Sequence, residues 1–189
     1  MIVEDSILEG CIAGKRSAQS QLYKKCASTM LGVCMRYAGN RDEAEDIVQE
    51  GFIKVFQRIS SFRREGSFEG WIKRIMINQA LNHYRKNRKV PFTSVIEEID
   101  ETEIVDLEES EPMDVIPADM LLGMIQKLPE GYKMVFNLYV FEEFSHKEIA
   151  ESLNVSESTS KTQLLKARRL LRKKIIDYRQ SKKSTKIHE

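Results

Sequence analysis

Asp42, Glu43, Glu45 and Asp46 place four carboxylates within five positions. Such a group could ligate a divalent cation or divide acid and base roles between two side chains. Successive residues of a helix point in different directions, however, so these four do not converge on one ion. The three histidines, His83, His146 and His188, are scattered and none lies near that cluster. Cys11, Cys26 and Cys34 are odd in number and lack the paired C-x-x-C spacing of a zinc or redox site. There is no G-x-x-x-x-G-K-[ST] phosphate loop, which argues against work driven by nucleotide hydrolysis. The sequence therefore predicts no catalytic residue, no metal site and no cofactor.

Amides and cations at helical spacing point to different chemistry. Asn78, Asn82 and Arg85 recur at intervals of four and three residues and so share a helix face. Their amides and guanidinium can read base edges, while Lys73, Arg74 and Lys86 can hold phosphates. A second set, Lys161, Thr162, Gln163, Lys166 and Arg168, lies in the last third of the chain and offers contacts to bases and phosphates in a major groove.

The elements that must position these residues are helical throughout. Leu22, Cys26, Met30, Val33 and Tyr37 form one apolar stripe, with the two cysteines acting as small hydrophobes. Asn40 is placed to cap a second helix, with Glu43 three positions on; Ala44, Ile47, Val48, Gly51, Phe52, Val55 and Phe56 repeat along it. After a polar loop, Ser60 to Ser67, a long helix begins near Phe68, with Trp71, Ile72, Ile75 and Met76 expected to face inward. Spacing favours core packing for Trp71, whereas Phe62 and Phe68 suit base stacking and packing equally. Towards the C-terminus, Pro129 suits the first position of a helix carrying Val135, Phe136 and Tyr139 inward. Ser145 to Leu164 reads as a helix-turn-helix. Ile149 and Leu153 bury its first helix, and small Ala150 permits a close crossing. Asn154 suits a left-handed corner, and Ser156 caps the helix that follows. Ser160 stands where a larger apolar residue is usual, which predicts looser packing there.

Charge divides the chain. Arg63 to Lys89 holds eight basic residues against two acidic, a net of +6; Val90 to Gln126 holds eleven acidic residues and no Lys or Arg; Lys161 to Glu189 holds eleven basic against two acidic, a net of +9. The acidic stretch also carries three of the four prolines and cannot bury enough apolar area to offset ordering, so it is expected to be a linker, although Ile96, Ile99, Ile104 and Val105 could dock it. The fold class is all-α: two helical bundles joined by an acidic linker, the C-terminal one containing the helix-turn-helix. The expected boundaries are 1–90, linker 91–117, 118–178 and a basic tail 179–189, unstructured from Ser181 onward. Residues 1–14 contain no apolar run of signal-peptide length, and no stretch approaches the roughly 18 apolar residues of a membrane span, so a reduced, cytoplasmic setting is expected.

Three segments in order resemble bacterial sigma factors. Asp42 to Phe56 is similar to their polymerase-binding helix, Phe62 to Ala80 to their promoter-melting segment, and Leu153 to Arg172 to their upstream-promoter reader. Nothing resembles the additional domains of housekeeping sigma factors, so the similarity is to the extracytoplasmic-function (ECF) kind. The resemblance implies a non-enzymatic subunit that binds core RNA polymerase and promoter DNA and is held inactive by an anti-sigma factor. It places Asp46, Gln49, Glu50 and Ile53 at the polymerase. Phe62 and Arg63 would belong to a pocket for a flipped base of the −10 element, with Lys73, Arg74, Asn78, Asn82, Arg85 and Lys86 beside it. Lys161, Thr162, Gln163, Lys166 and Arg168 would meet the −35 element. The linker would thread through the polymerase, or else remain a solvated tether. The competing expectation is a stand-alone helix-turn-helix regulator of duplex DNA, which leaves the Asp42–Phe56 helix and the Asn78 face without a role.

Overall fold

The computed structural model describes residues 3–87 and 116–186, with backbone alone over 183–186. The linker from 91 to 115, with the four apolar residues expected to dock it, and the last residues 187–189 lie outside the described residues. Every regular element described is helical. The chain divides into two compact units, Met1–Arg88 and Lys89–Glu189.

The first unit holds α1 (Asp5–Ile12), α2 (Arg16–Met35), α3 (Arg41–Arg58), a 3-10 turn (Ile59–Ser61) and α4 (Phe68–Asn87). Helix α2 packs on α1, α3 and α4, and α3 packs on α4. The stripe read from the sequence is buried: Leu22, Cys26, Met30, Ala44, Val48, Phe52, Val55, Ile72 and Met76 are each at most 3% exposed. The leucine, valine, isoleucine, phenylalanine and methionine side chains among them each contribute roughly 1.5–3 kcal/mol on burial. The cysteines are free thiols in that core, and burial pushes Cys26 up to about 11 and Cys34 to about 12, so both stay protonated at neutral pH.

Local chemistry sets the helix ends. Asn40 accepts from the Glu43 N–H at 2.8 Å, and the Glu43 carboxylate reaches back to the Gly39 N–H, one residue beyond the usual capping box. Ser67 Oγ accepts from the Gly70 N–H at 3.0 Å and starts α4. Gly51 lets α3 and α4 approach closely, because a Cβ there would collide with the Met76 sulfur.

The second unit holds α5 (Ala118–Gln126), α6 (Glu130–Val140), α7 (His146–Leu153) and α8 (Glu157–Lys186). Helices α5, α6 and α7 all pack on α8. One core cluster joins Met124, Ile125, Leu128, Tyr132, Ala167 and Leu171, with Ile175 and Tyr178 extending it along α8. Pro129 flanks α6 rather than entering it, and its carbonyl accepts from the Lys133 N–H at 2.9 Å. The helix-turn-helix corner is as expected. Asn154 is left-handed at φ 54° and Ser156 Oγ accepts from the Thr159 N–H at 3.0 Å, while Ser145 and Glu148 add a reciprocal capping box beyond those expectations. Helix α8 continues through Lys186, into the segment expected to be an unstructured tail. Once a helix is nucleated, each further residue such as Arg179, Gln180 or Lys182 adds a hydrogen bond at little cost.

Candidate nucleic-acid interface

Helix α3 presents Asp46, Gln49, Glu50 and Ile53 on the side opposite its buried stripe, at spacings of three, one and three. All four are exposed, and Ile53 is 55% exposed, unusual for an isoleucine on an otherwise polar face. Tyr23, 40% exposed, adds apolar surface beside Phe52 with ring centroids 4.8 Å apart.

Helix α4 carries the first candidate surface. Arg74, Asn78, Asn82, Arg85 and Lys86 are all exposed, while Lys73 is half-buried. Before this helix, the 63–67 loop is clamped at its base. Phe62 and Phe68 lie 5.0 Å apart and each meets Trp71 at 5.6 Å. All three rings are half-buried. Trp71 thus stands at the rim of the bundle, not inside it with Ile72 and Met76, because it falls one position off the fully buried stripe. Arg64 and Gly66, with φ of 59° and 89°, make the loop turn sharply. Arg63 is exposed, whereas Arg64 pairs with Asp5 of α1 at 3.5 Å.

Helix α8 carries the second candidate surface. Lys161, Thr162 and Arg168 are exposed and Lys166 is half-buried. Gln163 departs from expectation: it is 7% exposed and faces inward with Ser160, Leu164 and Ala167. Its spacing of three from Ser160 and four from Ala167 put it on that stripe, a signal outweighed by its polar side chain. Ser160 is wholly buried, and its hydroxyl meets His146 Nδ1 at 2.9 Å. This polar contact ties the two helices of the motif together where a larger apolar residue was expected. The His146 ring stacks on Tyr139 at 4.9 Å, and the Arg168 guanidinium lies 5.5 Å from the Tyr139 centroid. Burial, then the charge of Lys161, holds the His146 pKa below its ordinary value.

Two family models match the chain: Sigma-70 region 2 over residues 22–90, and Sigma-70, region 4 over residues 118–171. The ECF RNA polymerase sigma factor SigW of Bacillus subtilis is 35% identical over 155 residues, 77% of this chain and 82% of that protein. The RNA polymerase sigma-H factor of Pseudomonas aeruginosa is 30% identical over 179 residues, 90% and 92% of the two chains. The chain belongs to the ECF sigma factors.

Among solved structures, the RpoE sigma factor of Bartonella quintana, crystallised with the anti-sigma factor NepR, is 18% identical with a TM-score of 0.49, covering 82% of this chain and 95% of that one. In this sigma factor the region 2 match spans α2 to α4, and the region 4 match spans α5 to Leu171 of α8. Matches over both units leave no support for a stand-alone helix-turn-helix regulator, and the relatives are transcription initiation factors rather than enzymes. No helix among the described residues is long and apolar enough to cross a membrane. Two further residues were not singled out by spacing or residue type. Leu165 is 51% exposed among the cations of α8, and Gln79 is 9% exposed between α3 and α4.

Proposed function

We propose that this sigma factor grips core RNA polymerase with the exposed face of α3, opens and reads the −10 element with the 62–67 loop and α4, and anchors on the −35 element with α8. Asp46, Gln49, Glu50 and Ile53 contact polymerase. Phe62 and Arg63 flank the flipped base, Asn78, Asn82 and Arg85 read base edges, and Lys73, Arg74 and Lys86 hold phosphates. On α8, Lys161, Thr162, Lys166 and Arg168 meet the duplex, and inward-facing Gln163 supports them from beneath. The observation that carries the proposal is the pairing, within one small bundle, of an exposed α3 face bearing Ile53 with an exposed α4 ridge of amides and guanidinium. A protein that only bound duplex DNA has no use for the first.

Binding energy drives melting in this scheme. Unstacking costs a few kcal/mol per base, which a pocket and phosphate contacts offset without catalysis. Family membership supports a cytoplasmic protein held inactive by an anti-sigma factor. The test is co-elution of the full chain with core polymerase in the absence of DNA, followed by run-off transcription on a promoter library. Co-elution and discrete start sites are expected. Folded protein that neither co-elutes nor initiates a transcript overturns the proposal.

A further inference from the structure

Gln79 is a polar side chain in the seam between α3 and α4, only 9% exposed. Its Nε2 donates to Glu50 Oε2 at 3.2 Å, and its Oε1 accepts from Asn82 Nδ2 at 3.4 Å. Asn82 Oδ1 in turn accepts from an Arg85 guanidinium N–H at 3.0 Å. Four side chains thus form one hydrogen-bonded line from α3 to the exposed ridge of α4.

The two ends give that line a direction. A carboxylate can only accept, and a guanidinium can only donate. Gln79 must therefore turn its N–H towards Glu50 and its carbonyl towards Asn82. Asn82 must then turn its N–H towards Gln79 and its carbonyl towards Arg85. Flipping either amide sets oxygen against oxygen and N–H against N–H. A surface asparagine without such partners exchanges its donor and acceptor by half a turn of the amide. In this line that exchange is blocked.

The relay uses one N–H and one carbonyl lone pair of Asn82, and an amide has two of each. The remaining pair is offered outward in a fixed order. Order matters on a single strand, because adenine and cytosine carry an amino donor where guanine and thymine carry a keto acceptor, each beside a ring nitrogen of the opposite kind. An amide of fixed polarity suits one class at a given strand orientation, and an amide free to flip suits both.

We propose that Gln79 is a positioning residue: held by Glu50, it acts with Arg85 to fix the polarity of Asn82, holds that polarity when Arg85 turns to a base edge, and thereby sets the choice between amino and keto bases at one position of the −10 strand, without touching DNA. The proposal rests on the reading of the α4 ridge as the −10 contact. Gln79 is the residue to vary, because Glu50 also lies on the polymerase-facing side of α3.

The test uses the full chain assembled with core polymerase on forked promoter templates carrying each base in turn along the −10 strand. Gln79→Leu, which keeps the seam filled, is expected to lower amino-against-keto discrimination about fivefold at a single position, the worth of one ordinary hydrogen bond. Core affinity and preference elsewhere stay as in the parent. Asn82→Ala should lose the same discrimination, and the double variant should lose no more than either alone. Unchanged base preference in Gln79→Leu, an equal loss on every template, or additive losses in the double variant would overturn the relay while leaving the DNA contact standing. Asn82→Ala with no effect on any template would remove the α4 contact itself, and the relay with it.

Discussion

Helices α4 and α8 both present polar ridges, but what stands behind those ridges differs. On α4 the outward amide of Asn82 is tied through Gln79 to a carboxylate on the neighbouring helix. On α8 the exposed Lys161 and Thr162 rise from an inward stripe of Ser160, Gln163, Leu164 and Ala167, and Ser160 there is tied to half-buried His146. Ordered amides suit the reading of a base edge, whereas long cationic side chains suit the phosphate backbone, whose charge varies little with sequence. On the function proposed above, the two helices would divide discrimination from affinity.

The strongest challenge to this division is to undercut one ridge. Ile149→Ala in the second unit, at a position wholly buried under α8, should cost about 2–5 kcal/mol and abolish −35 binding. Core polymerase binding through α3 should survive. Denaturant unfolding and co-elution check both, and joint loss would mean that the units do not stand apart. Next, Gly51→Ala sets a methyl against the sulfur of wholly buried Met76; the overpacking cost of about 1–3 kcal/mol is offset by roughly 1 kcal/mol of helix propensity, so a modestly lower unfolding midpoint of the first unit is expected.

Substitutions on the two ridges sharpen the contrast. Asn78→Ala should change base preference on forked templates by about 1–3 kcal/mol, with little change in salt dependence. Lys161→Ala should weaken duplex binding evenly across sequences and lower the salt slope by about 0.9. Titrations at several ionic strengths separate the two, and a sequence-selective effect of Lys161→Ala would erase the distinction.

The smallest effect concerns His146. Its folded pKa lies below the ordinary 6.5, so the unfolded chain takes up the proton more readily. Its contribution to stability is present above pH 6.5 and is lost as the pH falls from there through the folded value. Melts of the second unit at pH 7.5 and 5.5 should differ by more in the parent than in His146→Gln.

Much of this was legible in the linear pattern. The stripe through Leu22, Cys26 and Met30, the cap at Asn40 and the left-handed Asn154 all follow from periods of three and four residues and from short-range hydrogen bonding, whereas Asp46, Gln49, Glu50 and Ile53 were singled out by family resemblance. The stripe, the cap and the corner depend on neighbours within one turn, so the chain specifies them locally. Trp71 and Gln163 went the other way: each lies at the edge of a stripe, where residue type and helical phase disagree, and the contacts made by the facing helix decide.

The sequence alone determined that the protein is helical, that it carries a helix-turn-helix, and that Asn78, Asn82 and Arg85 share one helix face. Tertiary structure alone decided that Phe62, Phe68 and Trp71 clamp a loop, that Ser160 meets His146, and that Gln79 links Glu50 to Asn82. The last of these spans 29 positions of sequence. A hydrogen bond between side chains that far apart exists only once two helices have packed in one particular register, and no local period encodes that register.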